Sequence, residues 1–424
     1  MTMFARRTLP LLALPALAPP ALAQTATEIT VHVPQPVIYR ESFEATAAAF
    51  ARHEPNIRIN WVTTPNYEDG MQLILRQAAT NLAVDLSYQG FNRLRLFAER
   101  GIAQDLAPLL ARDGNPSAAG FTPQILSLAH FGGIQAGLAY AASNPICYLN
   151  ADLVRRAGGN PDAMPTNWDD TIRLAARIKA LGEGIEGMIY TLGGEDWMFS
   201  ALLFSHGGRM LSEDEREPAF AGPEGLASVR LLGRFVQEAA MAPLSGEAAA
   251  QAFAAGRLGM IFASTARLRG TIQQVGRNFE LRTGPMPVID DARGRLPTGG
   301  AAGMLIARDP ARREAAWKFL RFSASAEGTA LMVRNTGYVP VNQIAIDEPH
   351  WLGEFYRDNP LFRAATGQAG RMIPWYPFPG ANSVRITQTI VDHLTRIVEQ
   401  RASPETVLAE MASDVRRLLP RARG

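Results

Sequence analysis

Between Ile29 and Tyr88 the apolar spacing changes period four times, and this constrains the fold more than any other feature of the chain. Ile29-Thr30-Val31-His32-Val33 alternates as a strand; Phe43, Ala47 and Phe50 recur at helical spacing within Arg40–His53, and Pro55 stops that helix. Ile57, Ile59 and Trp61 alternate again, a helix is predicted from Glu68 to Thr80, and Val84-Asp85-Leu86-Ser87-Tyr88 reads as a third strand. A β-α-β-α-β order requires crossover connections, so it predicts a mostly parallel sheet covered by helices, an α/β fold. Ligands of such sheets bind where strands run into helices, which singles out Tyr67 and the Tyr88-Gln89 pair.

The segment before this unit, MTMFARRTLPLLALPALAPPALAQ, carries two arginines, an apolar stretch from Leu9 and the small-residue run Ala21-Leu22-Ala23. It predicts a secretory signal peptide cleaved after Ala23, and Pro10, Pro15, Pro19 and Pro20 make it a poor permanent membrane helix. Arg6-Arg7 leaves both the general and the twin-arginine export routes open. Residue 24 is Gln with no cysteine nearby, so no lipid anchor is expected. Loss of Arg6 and Arg7 leaves basic and acidic residues balanced at 40 each, so no global field favours nucleic acid. Roughly 400 mature residues exceed what one core usually supports, and two domains are expected. With Cys147 alone, no intrachain disulfide can form, and stability must come from packed cores.

Further along, residues 137–150 are strand-like on both sides of Ser143-Asn144-Pro145 and lead into a second α/β series. Asn167 is placed to cap a helix; further helices are expected from Pro223 to about Ala240 and from Glu247 to Ala255, with Gly256 at C′ before the strand Leu258–Phe262. Helical segments dominate from Ala311 onward.

In order, Asn66-Tyr67-Glu68, Ser143-Asn144-Pro145 through Tyr148-Asn150, Thr166-Asn167-Trp168-Asp169, Phe253-Ala-Ala-Gly256 with Met260, and Ala263-Ser264-Thr265 form a recognisable series. Gly299-Gly300-Ala301, Thr336-Gly337-Tyr338-Val339-Pro340 and Ser403-Pro404-Glu405 complete it. The series resembles extracellular solute-binding protein family 1, in particular its glycerol-3-phosphate and oligosaccharide receptors. That resemblance implies a two-lobed periplasmic binding protein fold with hinge strands between discontinuous lobes and a helical C-terminal region. It places residues 25–141 and 287–325 in lobe 1 and 142–286 and 326–424 in lobe 2, with crossovers near Ser143-Asn144-Pro145 and Met286-Pro287. It also implies a periplasmic monomer that delivers a small polar ligand (a sugar, polyol or glycerophosphate derivative) to an ABC-importer permease, without a cofactor or nucleic acid.

Such a cleft needs aromatic faces for C–H surfaces and polar partners for oxygens. Tyr67, Trp168 and Tyr338 are the aromatic candidates; Ser143, Ser264, Thr265 and Gly300 are the polar ones. All but Thr265 also match pocket positions of the glycerol-phosphate receptors by resemblance. Gln89 stands where those receptors carry an acid, and an amide donates as well as accepts. Their anion-holding arginine corresponds to the segment Ser383–Asp392, where the register sets Thr387 or Gln388 opposite it and Arg385 about one turn away. Arg385 is therefore the candidate if the helix begins differently; otherwise a neutral or phosphodiester ligand is favoured.

Catalytic readings carry less. Gly182-Glu-Gly-Ile-Glu-Gly187 follows a helix and precedes a strand, the reverse of a dinucleotide turn. The six histidines show no metal-ligand pair, and Ser205-His206-Gly207-Gly208 lacks a nucleophile-elbow frame. A secreted carbohydrate lyase or hydrolase would need cleft carboxylates, for which Glu68 and Asp85 are available without any spacing that demands it.

Overall fold

The computed structural model describes residues 26–80, 84–192, 195–290 and 292–420. The expected signal peptide and its cleavage site lie outside the described residues. Two sheets organise the chain. The first is six-stranded: β1 (Thr27–Pro34), β2 (Ile57–Thr64), β3 (Leu86–Gly90), β4 (Leu138–Ser143), β9 (Leu296–Leu305) and β10 (Met372–Pro374). Its path is β10-β9-β3-β1-β2, with β4 also on β9. β1 runs parallel to both β2 and β3, in register Thr27 to Ile57 and Val31 to Leu86, as the helical crossovers α1 (Pro36–His53) and α2 (Tyr67–Ala79) require. β9 enters antiparallel to β3 and β4.

The second sheet has the order β8-β5-β7-β6, from β5 (Pro145–Asn150), β6 (Glu186–Tyr190), β7 (Leu258–Ser264) and β8 (Leu281–Pro285). The chain thus leaves one sheet at Ser143 and joins the other at Pro145, then returns between Pro285 and Leu296. One buried amide ties both crossings: Gln368 Nε2 donates to Pro145 O at 3.0 Å while its Oε1 accepts from Met286 N at 2.8 Å. Asn144, also fully buried, donates to Ala365 O at 2.8 Å.

Local signals set the helix starts. Asn66 accepts from Asp69 N at 2.8 Å and begins α2 at Tyr67; Asn167 accepts from Asp170 N at 2.9 Å and begins α4 (Trp168–Lys179). Each cap delivers an aromatic residue at the first helical position, but the two rings go to different places. α5 (Trp197–Ser205) is buried on every side, α6 (Pro223–Gln237) follows, and α7 (Gly246–Ala254) ends before Gly256 at φ +74°.

The expected assignment of residues 326–424 to the second lobe needs correction. After α8 (Pro310–Ser323), α9 (Ala326–Asn335) lies against α1, and Ala330, Met332, Val333, Tyr338, Ala345 and Leu352 join Ile29, Val31 and Leu86 in the first-sheet core. β10 extends the first sheet through Leu296 and Thr298. From this tail, α10 (Ser383–Val398) and α11 (Pro404–Leu418) pack on α6 beside the second sheet. An apolar stripe specifies that a helix is covered, not which sheet covers it.

Candidate functional site

Between the two sheets lies a cleft of about 720 Å³. It gathers Tyr67, Ser143, Ser264, Gly300 and Tyr338 from five separate stretches of sequence. Behind its aromatic wall stands Tyr39, fully buried and stacked on Tyr338 with centroids 5.3 Å apart. The Tyr39 hydroxyl donates to Tyr338 Oη at 2.8 Å and lies 2.8 Å from Tyr67 Oη. A phenol has one proton, so with Tyr39 donating to Tyr338 it is Tyr67 that donates to Tyr39. Burial raises all three phenols, Tyr338 up to about 12, so the relay is neutral at physiological pH.

Gly300 forms the backbone floor. Its φ is +118°, and a Cβ there would stand 2.0 Å from Ala141 O on the adjoining strand, so neither the torsion nor the space admits a side chain. Ser143 pairs with Gly299 across the ladder, and Ser264 uses its hydroxyl to accept from Ala266 N at 3.2 Å. Tyr148 donates to Ser264 O at 2.7 Å and fixes that loop.

Several lining residues were missed by the sequence reading. Trp197 and Trp375 face one another at 6.4 Å, and Trp375 Nε1 donates to the buried Asp196 carboxyl group at 3.2 Å. Trp197 Nε1 is buried with no hydrogen-bond partner among the described residues. Glu195 lines the cleft and takes Arg93 Nη2 at 2.7 Å, while the Arg93 guanidinium sits 5.9 Å from the Tyr67 ring centre. Arg40 from one side and Arg267 and Arg269 from the other line the mouth, exposed and without an ion-pair partner among the described residues. The Glu195-Asp196-Trp197 run, an acid before a helix start, was the available signal.

Four expected residues do not line the cleft. Trp168 is buried in the second-sheet core against Phe235, Phe262 and Tyr190, at centroid distances of 4.8, 4.9 and 5.9 Å. α4 is amphipathic and its first residue falls on the inward stripe, so the ring completes the core. Gln89 is fully buried within the first sheet and donates to Ser87 Oγ at 3.0 Å. Thr265 is fully buried while its neighbours Ser264 and Ala266 reach the surface. Arg385 is exposed on α10, whose buried stripe of Ile386, Ile390 and Leu394 turns the other way; Thr387 and Gln388 do not reach the cleft either. Asp85 accepts from Thr30 N at 2.8 Å and is likewise buried away from the cleft. Among the described residues no group of three or more His, Cys, Asp or Glu could hold a metal ion, and no helix is long and apolar enough to cross a membrane.

Residues 37–330 match the model of the bacterial extracellular solute-binding proteins. The chain belongs to that family. A Brucella abortus (strain 2308) chain named as a binding protein is 27% identical over 311 residues, covering 71% of this chain and 72% of that one. The sn-glycerol-3-phosphate-binding periplasmic protein UgpB of Escherichia coli (strain K12) is 26% identical over 259 residues, 58% of this chain and 57% of that protein. In structure, this solute-binding protein superposes on Mycobacterium tuberculosis UgpB, solved with glycerophosphocholine, with a TM-score of 0.82 at 21% identity over 93% of this chain and 98% of that one. The fold is the two-lobed α/β fold of periplasmic binding proteins, and the cleft described above lies between the lobes.

Proposed function

We propose that this chain is the periplasmic substrate-binding component of an ABC importer, capturing a carbohydrate, polyol or glycerophosphate-type ligand between its lobes and presenting the closed form to a membrane permease. The observation that carries this reading is the composition of the cleft: Tyr67 and Tyr338 on one side, Trp197 and Trp375 beside them, and Ser143, Ser264 and Gly300 at the base. Flat rings suit the C–H faces of a sugar or glycerol backbone, and hydroxyl and main-chain groups suit its oxygens. Arg40, Arg267 and Arg269 would accommodate a phosphate where Arg385 does not reach. The protein works as a receptor rather than an enzyme in this reading: Glu68 faces Arg93 at 3.6 Å, Glu195 holds the same arginine, and Asp85 is spent on Thr30. It acts as a monomer, with no nucleic acid as partner.

A thermal-shift panel of mono- and oligosaccharides, glycerol 3-phosphate and glycerophosphodiesters tests the assignment. A specific ligand at a hundred times its dissociation constant should stabilise the protein by about 2.7 kcal/mol; a flat response across the panel would remove the assignment. With the best ligand, Trp197→Ala should weaken binding by more than about 1 kcal/mol in calorimetry while the fold persists. Unchanged affinity would show that the ligand does not reach this wall.

A further inference from the structure

The helix α3 (Phe91–Glu99) leaves β3 at the edge of the cleft and packs on β3 and β9, so it belongs to the first lobe. Two of its arginines nevertheless reach partners in the other lobe. Arg93, almost fully buried, holds Glu195 on the cleft side. Arg95 points elsewhere, since residues two apart do not share a helix face. Its guanidinium forms a two-pronged pair with Glu215, Nη1 to Oε1 at 2.6 Å and Nη2 to Oε2 at 2.7 Å. Tyr376, which follows β10 of the first sheet, adds its hydroxyl to Glu215 Oε1 at 2.7 Å. Glu99, one turn on, steadies Arg95 Nε at 2.7 Å.

Glu215 belongs to the second lobe. It lies in the turn closed by the Leu211–Pro218 bridge, and the neighbouring Glu217 takes Arg416 of α11 at 2.7 Å. Its backbone is left-handed, with φ 57°, a conformation that a residue with a Cβ adopts only at a cost. The turn bond from Glu215 N to Ser212 O, the two bonds from Arg95 of the first lobe and the one from Tyr376 hold it there. Both partners are largely screened from water, at 22% and 32% side-chain exposure, so salt weakens this pair less than an open surface pair.

We propose that Arg95, Glu215 and Tyr376 form an interlobe latch that holds the lobes at the separation seen here and must break before they swing wider. A fork of this kind is lost once its atoms separate beyond about 3.5 Å, so a hinge motion that parts Arg95 from Glu215 has to release it. The latch rests on the reading of the lobes as moving bodies but needs no ligand for its effect. It sets how much of the free protein is closed, and hence the fraction competent to hold solute.

Interlobe distances in the ligand-free protein test this. Spin labels at Arg58→Cys and Glu183→Cys, both exposed and on opposite lobes, report the separation by double electron–electron resonance. The native Cys147 is fully buried and will not take label. Glu215→Gln and Arg95→Gln should each add a longer-distance population absent from the otherwise wild-type protein. The double variant should go no further than either single one, and Tyr376→Phe should shift the distribution less in the same direction. Distributions that superpose on the wild type would overturn the latch, whatever happens to thermal stability. Should a charge-removing variant fail to fold by circular dichroism, Tyr376→Phe decides alone: a shift supports the latch and none removes it. Widened distributions in a protein that binds nothing on the panel would sink the solute assignment and leave the latch standing; unchanged distributions in a protein that binds would do the reverse.

Discussion

Trp168→Ala should cost about 3–5 kcal/mol of folding stability, the range for deleting a large buried aromatic side chain. The ring sits among Phe235, Phe262 and Tyr190, bridging α4, α6 and the second sheet, and no smaller residue fills that space without leaving a cavity. Trp168→Phe should cost much less. It keeps an aromatic surface against the same neighbours and deletes an indole N–H that has no hydrogen-bond partner among the described residues. Denaturant titration of the three proteins measures the order. Ligand affinity of Trp168→Ala, taken where it is still folded, should stay near wild type, in contrast to Trp197→Ala. Preserved stability with lost binding would return Trp168 to the ligand wall and contradict the placement seen here.

The exchange of one tryptophan for another shows where sequence reasoning stops. Trp168 and Trp197 both open a helix beside acidic residues, and at that level they are equivalent. What separates them is the sheet packing: α4 lies over the second sheet, whereas Trp197 sits where a Cβ on Gly299 would come within 3.0 Å of its ring, at the crossing between lobes. α5 is buried on all sides, so it carries no periodic signal to orient its first residue. The β-α-β-α-β unit was legible because period and punctuation are local properties, and α2 begins one residue from the expected start. Tyr67 and Tyr338 could be named, but not Tyr39 behind them: a phenol on a helix face reads as core, and its link to two hydroxyls exists only after distant segments of the first lobe pack together. Residues 326–352 went to the wrong lobe for the same reason, since amphipathic helices after Ala311 do not encode the sheet they cover.

Asp196→Asn should change the pH dependence of stability more than any other single substitution at the cleft. Asp196 is fully buried behind Trp197 and Trp375; burial, and then the adjacent Glu195, raise its carboxyl from 3.8 to about 7. Trp375 Nε1 at 3.2 Å, the Asp196 backbone N–H and the charge of Arg93 oppose that shift, and Ser200 Oγ lies 3.5 Å away. The unfolded chain releases this proton near 3.8, while the folded protein keeps it until about pH 7. Between those values the folded state binds more protons, so the Asp196 contribution is fully present below pH 3.8 and is lost as pH rises through 7. The displacement corresponds to roughly 4 kcal/mol as an upper figure. Asparagine keeps the shape and cannot ionise. Relative to wild type, Asp196→Asn should therefore gain stability steadily from pH 4 to pH 8, by up to about 4 kcal/mol, and the gain should level off above pH 8. Denaturation curves of both proteins at each pH isolate this one group, because every other titration is common to the pair. A difference that does not vary with pH would mean that Asp196 ionises in the fold as it does in the unfolded chain. The Trp375 contact would then be a full charge-assisted bond, and the cleft wall would rest on a buried carboxylate rather than on a carboxylic acid.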